Sequence, residues 1–136
     1  MDINRCIAEL GNGASMIYPD TEAATFFLAR SAHSDIEDEL ISSLKGLGDY
    51  ELKRAPAEFG AVFAVTRGRI FGGAAGMNAT YWRLRPSDLS VALRNGAEVA
   101  PIGSEWVKMI CFRSDWPQPD LAFWALRAYD YARTGA

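Results

Sequence analysis

Gly60-Ala61-Val62-Phe63-Ala64-Val65-Thr66-Arg67-Gly68-Arg69-Ile70-Phe71 is the stretch whose pattern decides the fold. Its first half is a β-rich run of mixed small and large residues, suited to a strand inside a sheet. Arg67-Gly68 supplies a tight turn into Arg69-Ile70-Phe71, so the two halves form a hairpin. Upstream, Tyr50, Leu52 and Arg54 alternate with Glu51 and Lys53, as an edge strand would. Downstream, Gly72 to Gly76 reads as a turn or irregular connection. Thr80 to Arg85 is the next strand. Its alternation puts Tyr81, Arg83 and Arg85 on one face, with Trp82 and Leu84 on the other, toward the core. Glu105 to Arg113 is apolar enough to be a strand buried on at least one face.

On either side of this period-two region the spacing is helical. Asp20 can cap a helix through about Ala32, with Glu22 in its first turn. Ser34-Asp35-Ile36-Glu37 has the form of a capping box, followed by Ile36, Leu40, Leu44 and Leu47 at helical spacing and then Gly46 and Gly48. Residues 3–10 can form a short first helix that Gly11-Asn12-Gly13 stops. Pro86-Ser87-Asp88 opens a helix, with Ser87 or Asp88 as the cap and Asn95-Gly96 as the close. After Pro117 and Pro119 a last helix runs from about Asp120 to Arg133, with Leu121, Trp124, Ala125, Ala128, Tyr131 and Ala132 as its apolar stripe. Strands joined by short links and flanked by helices predict an α+β fold. The expected sheet is antiparallel and four- to five-stranded, with the N-terminal helices first and the helices packed mainly on one face.

The 136 residues fit a single domain, a helical part over 1–48 and a sheet with a C-terminal helix over 49–136. Hydrophobic residues make up 49% of the chain, enough to offset the entropy of ordering and to exclude disorder over most of its length. The net charge is −3, which argues against a protein that lives on nucleic acid or anionic membrane. That charge is uneven: residues 1–48 balance at −5 and residues 49–136 at +2. Arg outnumbers Lys eleven to three, a bias that suits planar recognition of carboxylate or phosphate. Neither a secretory signal nor an apolar run long enough to cross a bilayer is visible. Cys6 and Cys111 lie far apart, as reduced thiols in a cytoplasmic protein would.

Catalytic equipment is sparse. Gly11-Asn12-Gly13 lacks the third glycine and the preceding strand of a dinucleotide fingerprint, and Gly72 to Gly76 lacks the Lys-Ser/Thr of a phosphate loop. The sole histidine, His33, sits where two helices meet and reads as a capping or surface residue. With only Cys6 and Cys111 beside it, no zinc set assembles. No nucleophile-elbow serine occurs. Asp35, Glu37, Asp38 and Glu39 read as an exposed helix face. The sequence therefore points to no catalytic residue, no metal and no cofactor.

The group that stands out is Tyr81, Arg83 and Arg85 on one sheet face, with Arg69, and with Arg54 and Arg67 in the same cationic cluster. Tyr and Arg are favoured anchors of protein interfaces, and they also stack on and neutralise single-stranded nucleic acid. The same arginines can instead pair with the acids of Asp35 to Glu39, a purely structural use. The expectation is a non-enzymatic binding protein that uses Tyr81, Arg83, Arg85 and Arg69 to engage a protein partner or itself, as a homodimer. A nucleic-acid accessory role for the same face is the alternative. An enzyme or small-ligand binder of another type comes after that.

The chain from Phe63 onward also resembles small bacterial α+β domains of the MmcQ/YjbR and TfoX N-terminal kind, and a domain catalogued as luciferase-like. The resemblance lies in the hairpin at Phe63 to Phe71, the Tyr81-Trp82-Arg83-Leu84-Arg85-Pro86 strand and the helix ending at Gly96. Trp106-Val107 and the helix over Leu121 to Tyr129 complete it. It implies the fold and brings no catalytic motif, and residues 1–48 fall outside it.

Overall fold

The structure is a computed structural model that describes residues 21–112 and 118–135. The helix expected over 3–10, the Gly11-Asn12-Gly13 turn and Cys6 lie outside the described residues. Helices α1 (Thr21–Leu28) and α2 (Ser34–Ser43) precede strands β1 (Glu51–Arg54), β2 (Val62–Thr66), β3 (Arg69–Ala75) and β4 (Ala79–Arg83). Helix α3 (Pro86–Arg94), strands β5 (Glu98–Val99) and β6 (Trp106–Ile110), and helix α4 (Leu121–Thr134) follow. The fold is α+β with an antiparallel sheet, as the alternation indicates, but the sheet has six strands in the order β1-β2-β3-β4-β6-β5.

The hairpin forms where the sequence places it. Arg67 and Gly68 take φ of +51° and +76°, the pair of left-handed residues whose twist matches that of the flanking strands. The Gly72 to Gly76 segment is a correction, since most of it belongs to β3. Two glycines inside a strand read locally as a turn; here they clear space for rings. A Cβ on Gly72 would stand 2.4 Å from the Trp82 ring, and one on Gly73 would stand 2.5 Å from the Phe27 ring. Neighbouring strand residues point to opposite faces, so each glycine admits one aromatic on its own side of the sheet.

The sheet is therefore covered on both faces and not on one alone, with α2, α3 and α4 on one side and α1 on the other. One core holds Ile36, Leu40 and Leu44 of α2, Ala92 of α3 and Trp124, Ala125 and Ala128 of α4 against Val62, Ala64, Trp82 and Val107. Trp82 is fully buried there, and its indole N–H donates to Thr80 Oγ1 at 3.0 Å. The other core holds Ala23, Ala24, Phe26 and Phe27 of α1 against Phe63, Ile70, Tyr81 and Trp106. Phe27 stacks on Phe63 with centroids 5.5 Å apart and meets Trp106 edge-on at 6.1 Å. Each ring so buried contributes about 2–3 kcal/mol, which is why an eight-residue helix can hold that face.

Two helix caps depart from the expected residues. Helix α2 is capped by His33, whose Nδ1 accepts from the Asp35 N–H at 3.1 Å, and Ser34 is already helical. Glu37 is drawn away from any capping box by Arg54, at 2.7 Å. Helix α3 is capped by Arg85 with Pro86 as its first residue, in place of Ser87 or Asp88. Asp120 caps α4 through a bond from the Phe123 N–H. Cys111, just after β6, is buried, and burial first, then the Glu39 charge, pushes its thiol up to about 11.

Candidate functional site

Strand β4 ends on Arg83, and two residues later Arg85 starts α3, so both leave the sheet at the same end. Helix α4 packs across β2, β3 and β4, and its last turns bring Tyr129, Asp130, Tyr131 and Arg133 to that end. Arg83 Nε donates to Glu105 Oε1 at 3.1 Å, and its Nη2 lies 3.0 Å from the same oxygen. Arg85 reaches Asp130 Oδ2 at 3.3 Å. Both guanidiniums stand over the Tyr131 ring, 5.0 and 5.3 Å from its centroid. The Tyr131 hydroxyl donates to Glu105 Oε2. That hydrogen bond, with burial and the Glu105 charge, raises its pKa above tyrosine's ordinary value, while Arg83 and Arg85 pull it down.

Further along the same end, Arg67 of the hairpin turn donates to the Arg133 carbonyl at 3.2 Å. Arg133 donates to Thr66 Oγ1 at 3.0 Å and lies over the Tyr129 ring, 5.1 Å from its centroid. Arg69 pairs with Thr66 across β2 and β3. Five guanidiniums thus crowd one end of the sheet. Only those of Arg83 and Arg85 have a carboxylate partner among the described residues; Arg67, Arg69 and Arg133 have none.

Of the residues singled out from sequence, Arg69, Arg83 and Arg85 come together here and Tyr81 does not. Its alternation with Arg83 is as expected, but that face is not open. Helix α1 covers it, Tyr81 is 7% exposed, and Phe26 and Phe27 meet its ring edge-on at 4.8 and 6.0 Å. Burial is the main reason its hydroxyl titrates above the usual range. Tyr131 takes the place at the arginines that Tyr81 was expected to hold. Its only sequence signal was a hydroxyl-bearing ring at the margin of the α4 stripe. Arg54 departs as well: it sits at the opposite end of the sheet, paired with Glu37, whose hydrogen bond raises the guanidinium pKa further. Lys53 is buried in β1, with Nζ 3.0 Å from Glu51 Oε2.

Chemically, this end presents planar cations held in place by rings and by backbone carbonyls, a surface fitted to carboxylates or phosphates. Among the described residues no group of three or more His, Cys, Asp and Glu is placed to hold a metal ion, and no helix is long and apolar enough to cross a membrane. No family model matches the chain, and neither does any curated protein or solved structure.

Proposed function

We propose that this chain acts by binding a protein, either a partner or a second copy of itself, through the arginine-bearing end of its sheet, and carries out no chemistry of its own. The supporting observation is the division among the five guanidiniums. Arg83 and Arg85 are neutralised within the chain by Glu105 and Asp130, and they build a rigid floor on Tyr131. Arg67, Arg69 and Arg133 border that floor with no carboxylate of the described chain to pair with. An acidic partner segment would supply the missing forks, and a partly exposed, pre-organised Arg–Tyr platform is the kind of surface on which interface hot spots concentrate.

The test is fluorescence anisotropy of two labelled probes at low and at physiological salt, an acidic tyrosine-containing peptide and a mixed-sequence single-stranded oligonucleotide. Peptide binding that Arg67→Glu with Arg69→Glu abolishes, in a variant with an unchanged circular dichroism spectrum, is the expected result. Oligonucleotide binding that survives physiological salt and needs the same arginines would replace the protein partner with nucleic acid. Neither probe binding at low salt overturns the proposal.

A further inference from the structure

The opposite end of the sheet carries a different surface. Phe59, Met77 and Phe112 are 71%, 70% and 49% exposed, and they sit on three successive connections there. The β2–β3 pairing ends at Val62 and Ala74, and beyond it residues 31 and 32 insert between the two strands, Ser31 bridging Gly60 and Ala32 bridging Gly76, so Phe59 stands two strand spacings from Met77. The β4–β6 register pairs Ala79 with Ile110 and continues through the Cys111 N–H to Asn78 carbonyl bond, 2.7 Å, to bring Phe112 opposite Met77 from the other side. With neighbouring strands about 4.8 Å apart, the three side chains lie along an edge roughly 19 Å long, with Ser31 and Ala32 between Phe59 and Met77. Their backbone is fixed: the Ala32 N–H bonds the Phe59 carbonyl at 2.8 Å, and the His33 N–H bonds the Gly76 carbonyl at 2.9 Å.

Both rings are displayed at a conformational cost. Phe59 and Phe112 have φ of +53° and +65°, a region that bulky residues avoid. Carboxylates surround the row: Glu58 precedes Phe59, and the start of α2 beside Gly76 bears Asp35, Glu37 and Asp38. Among the described residues two guanidiniums, Arg30 and Arg54, stand against these four, and Arg54 is taken by Glu37. At the arginine end the balance reverses: Lys53 takes Glu51, and Arg67, Arg69, Arg83, Arg85 and Arg133 stand against Asp49, Glu105 and Asp130. Exposed phenyl rings among carboxylates form a receptor for guanidinium, which is attracted by the ring face and forked by the acid. The chain uses that stacking within itself, with Arg30 3.7 Å from the Phe26 centroid and Arg127 4.8 Å from that of Phe123.

We infer that Phe59, Met77 and Phe112, with Glu58 and Asp35 around them, receive the arginine-bearing end of a second copy of this chain in a head-to-tail contact. The inference rests on the arginine end being a binding surface, and it names the occupant. Because the two surfaces in contact differ, the association is heterologous and continues into rings or open chains unless it is blocked.

Sedimentation velocity on three proteins tests this: the unaltered chain, Arg67→Glu with Arg69→Glu, and Phe59→Ser with Met77→Ser. The unaltered chain is expected to sediment faster as its concentration rises, and less so as salt is added. Each variant alone is expected to self-associate about tenfold more weakly or not at all. An equimolar mixture should form a dimer and stop there, since one variant keeps only its arginine end and the other only its apolar row. Phe59→Gly serves as a second variant, because its backbone suits a positive φ and loss of association with an unchanged melting temperature then reflects the lost ring. An unaltered chain that stays monomeric at its solubility limit overturns the inference; if it still binds the acidic peptide, the arginine surface stands and only the second copy is wrong. Self-association without complementation in the mixture also overturns it, in favour of a symmetric contact.

Discussion

The two ends of the sheet solve opposite problems. At the arginine end, side chains from β2, β4, α4 and the turn before β6 pair with one another: Glu105 takes Arg83 and Tyr131, Asp130 takes Arg85, and Thr66 takes Arg133, while Arg83 Nη1 stays buried without a partner among the described residues. At the other end the backbone is tied to residues 30–33, just before α2, by hydrogen bonds while Phe59, Met77 and Phe112 are largely exposed, and two of the three sit in unfavourable φ. Where backbone alone holds a loop, large apolar side chains can be left outward. A surface can thus be rigid without being internally satisfied, and such a surface has most to gain from a partner.

The strongest way to break this contrast is to strike between the ends. Gly72→Ala puts a methyl group into the Trp82 ring, and about 3 kcal/mol of stability is expected to go, read by urea denaturation. If the chain unfolds as one unit, amide exchange at both ends rises together; exchange that rises at only one end would show that the ends are separable. Glu105→Ala acts on the arginine end alone. It strips the counterion from Arg83, whose side chain is 12% exposed, and the expected loss is about 2 kcal/mol with the loop end unchanged in amide exchange. No loss would mean that Arg83 is not held by Glu105.

Alkaline titration probes the same knot. Tyr131 and Tyr81 both have pKa values raised in the folded chain. Their contribution is present below the unfolded value of about 10 and is lost as pH rises through the folded values. The urea midpoint should therefore fall above about pH 10, and Tyr131→Phe should lessen that fall. Phe59→Gly carries the smallest expected effect, and its sign separates the ends: relief of the positive φ should leave the melting temperature unchanged or raise stability by about 1 kcal/mol. A clear drop would mean that the ring is packed and not displayed.

The hairpin at Arg67-Gly68 and the start of the last helix near Asp120 are local features, and local chemistry makes them legible in sequence. What was not legible depends on partners far along the chain. Gly72 and Gly73 look like a turn until Trp82 and Phe27 occupy the space they leave. Tyr81 looks exposed until α1 is laid on its face, and an eight-residue helix carries no mark of which face it will choose. Strand β5 has two residues, both exposed, too short a run for any periodicity. The arginine end needed Glu105 and Asp130, which meet Arg83 and Arg85 across 22 and 45 residues of chain.

Cys111 gives the protein a clock of its own. The thiol is buried and held at about 11, so at neutral pH a thiol reagent finds neither access nor thiolate until the end of β6 parts from Asn78. With Cys6 replaced by serine, the rate of modification would count those partings one by one. It would time the breathing of the apolar end, a strand length away from the arginines.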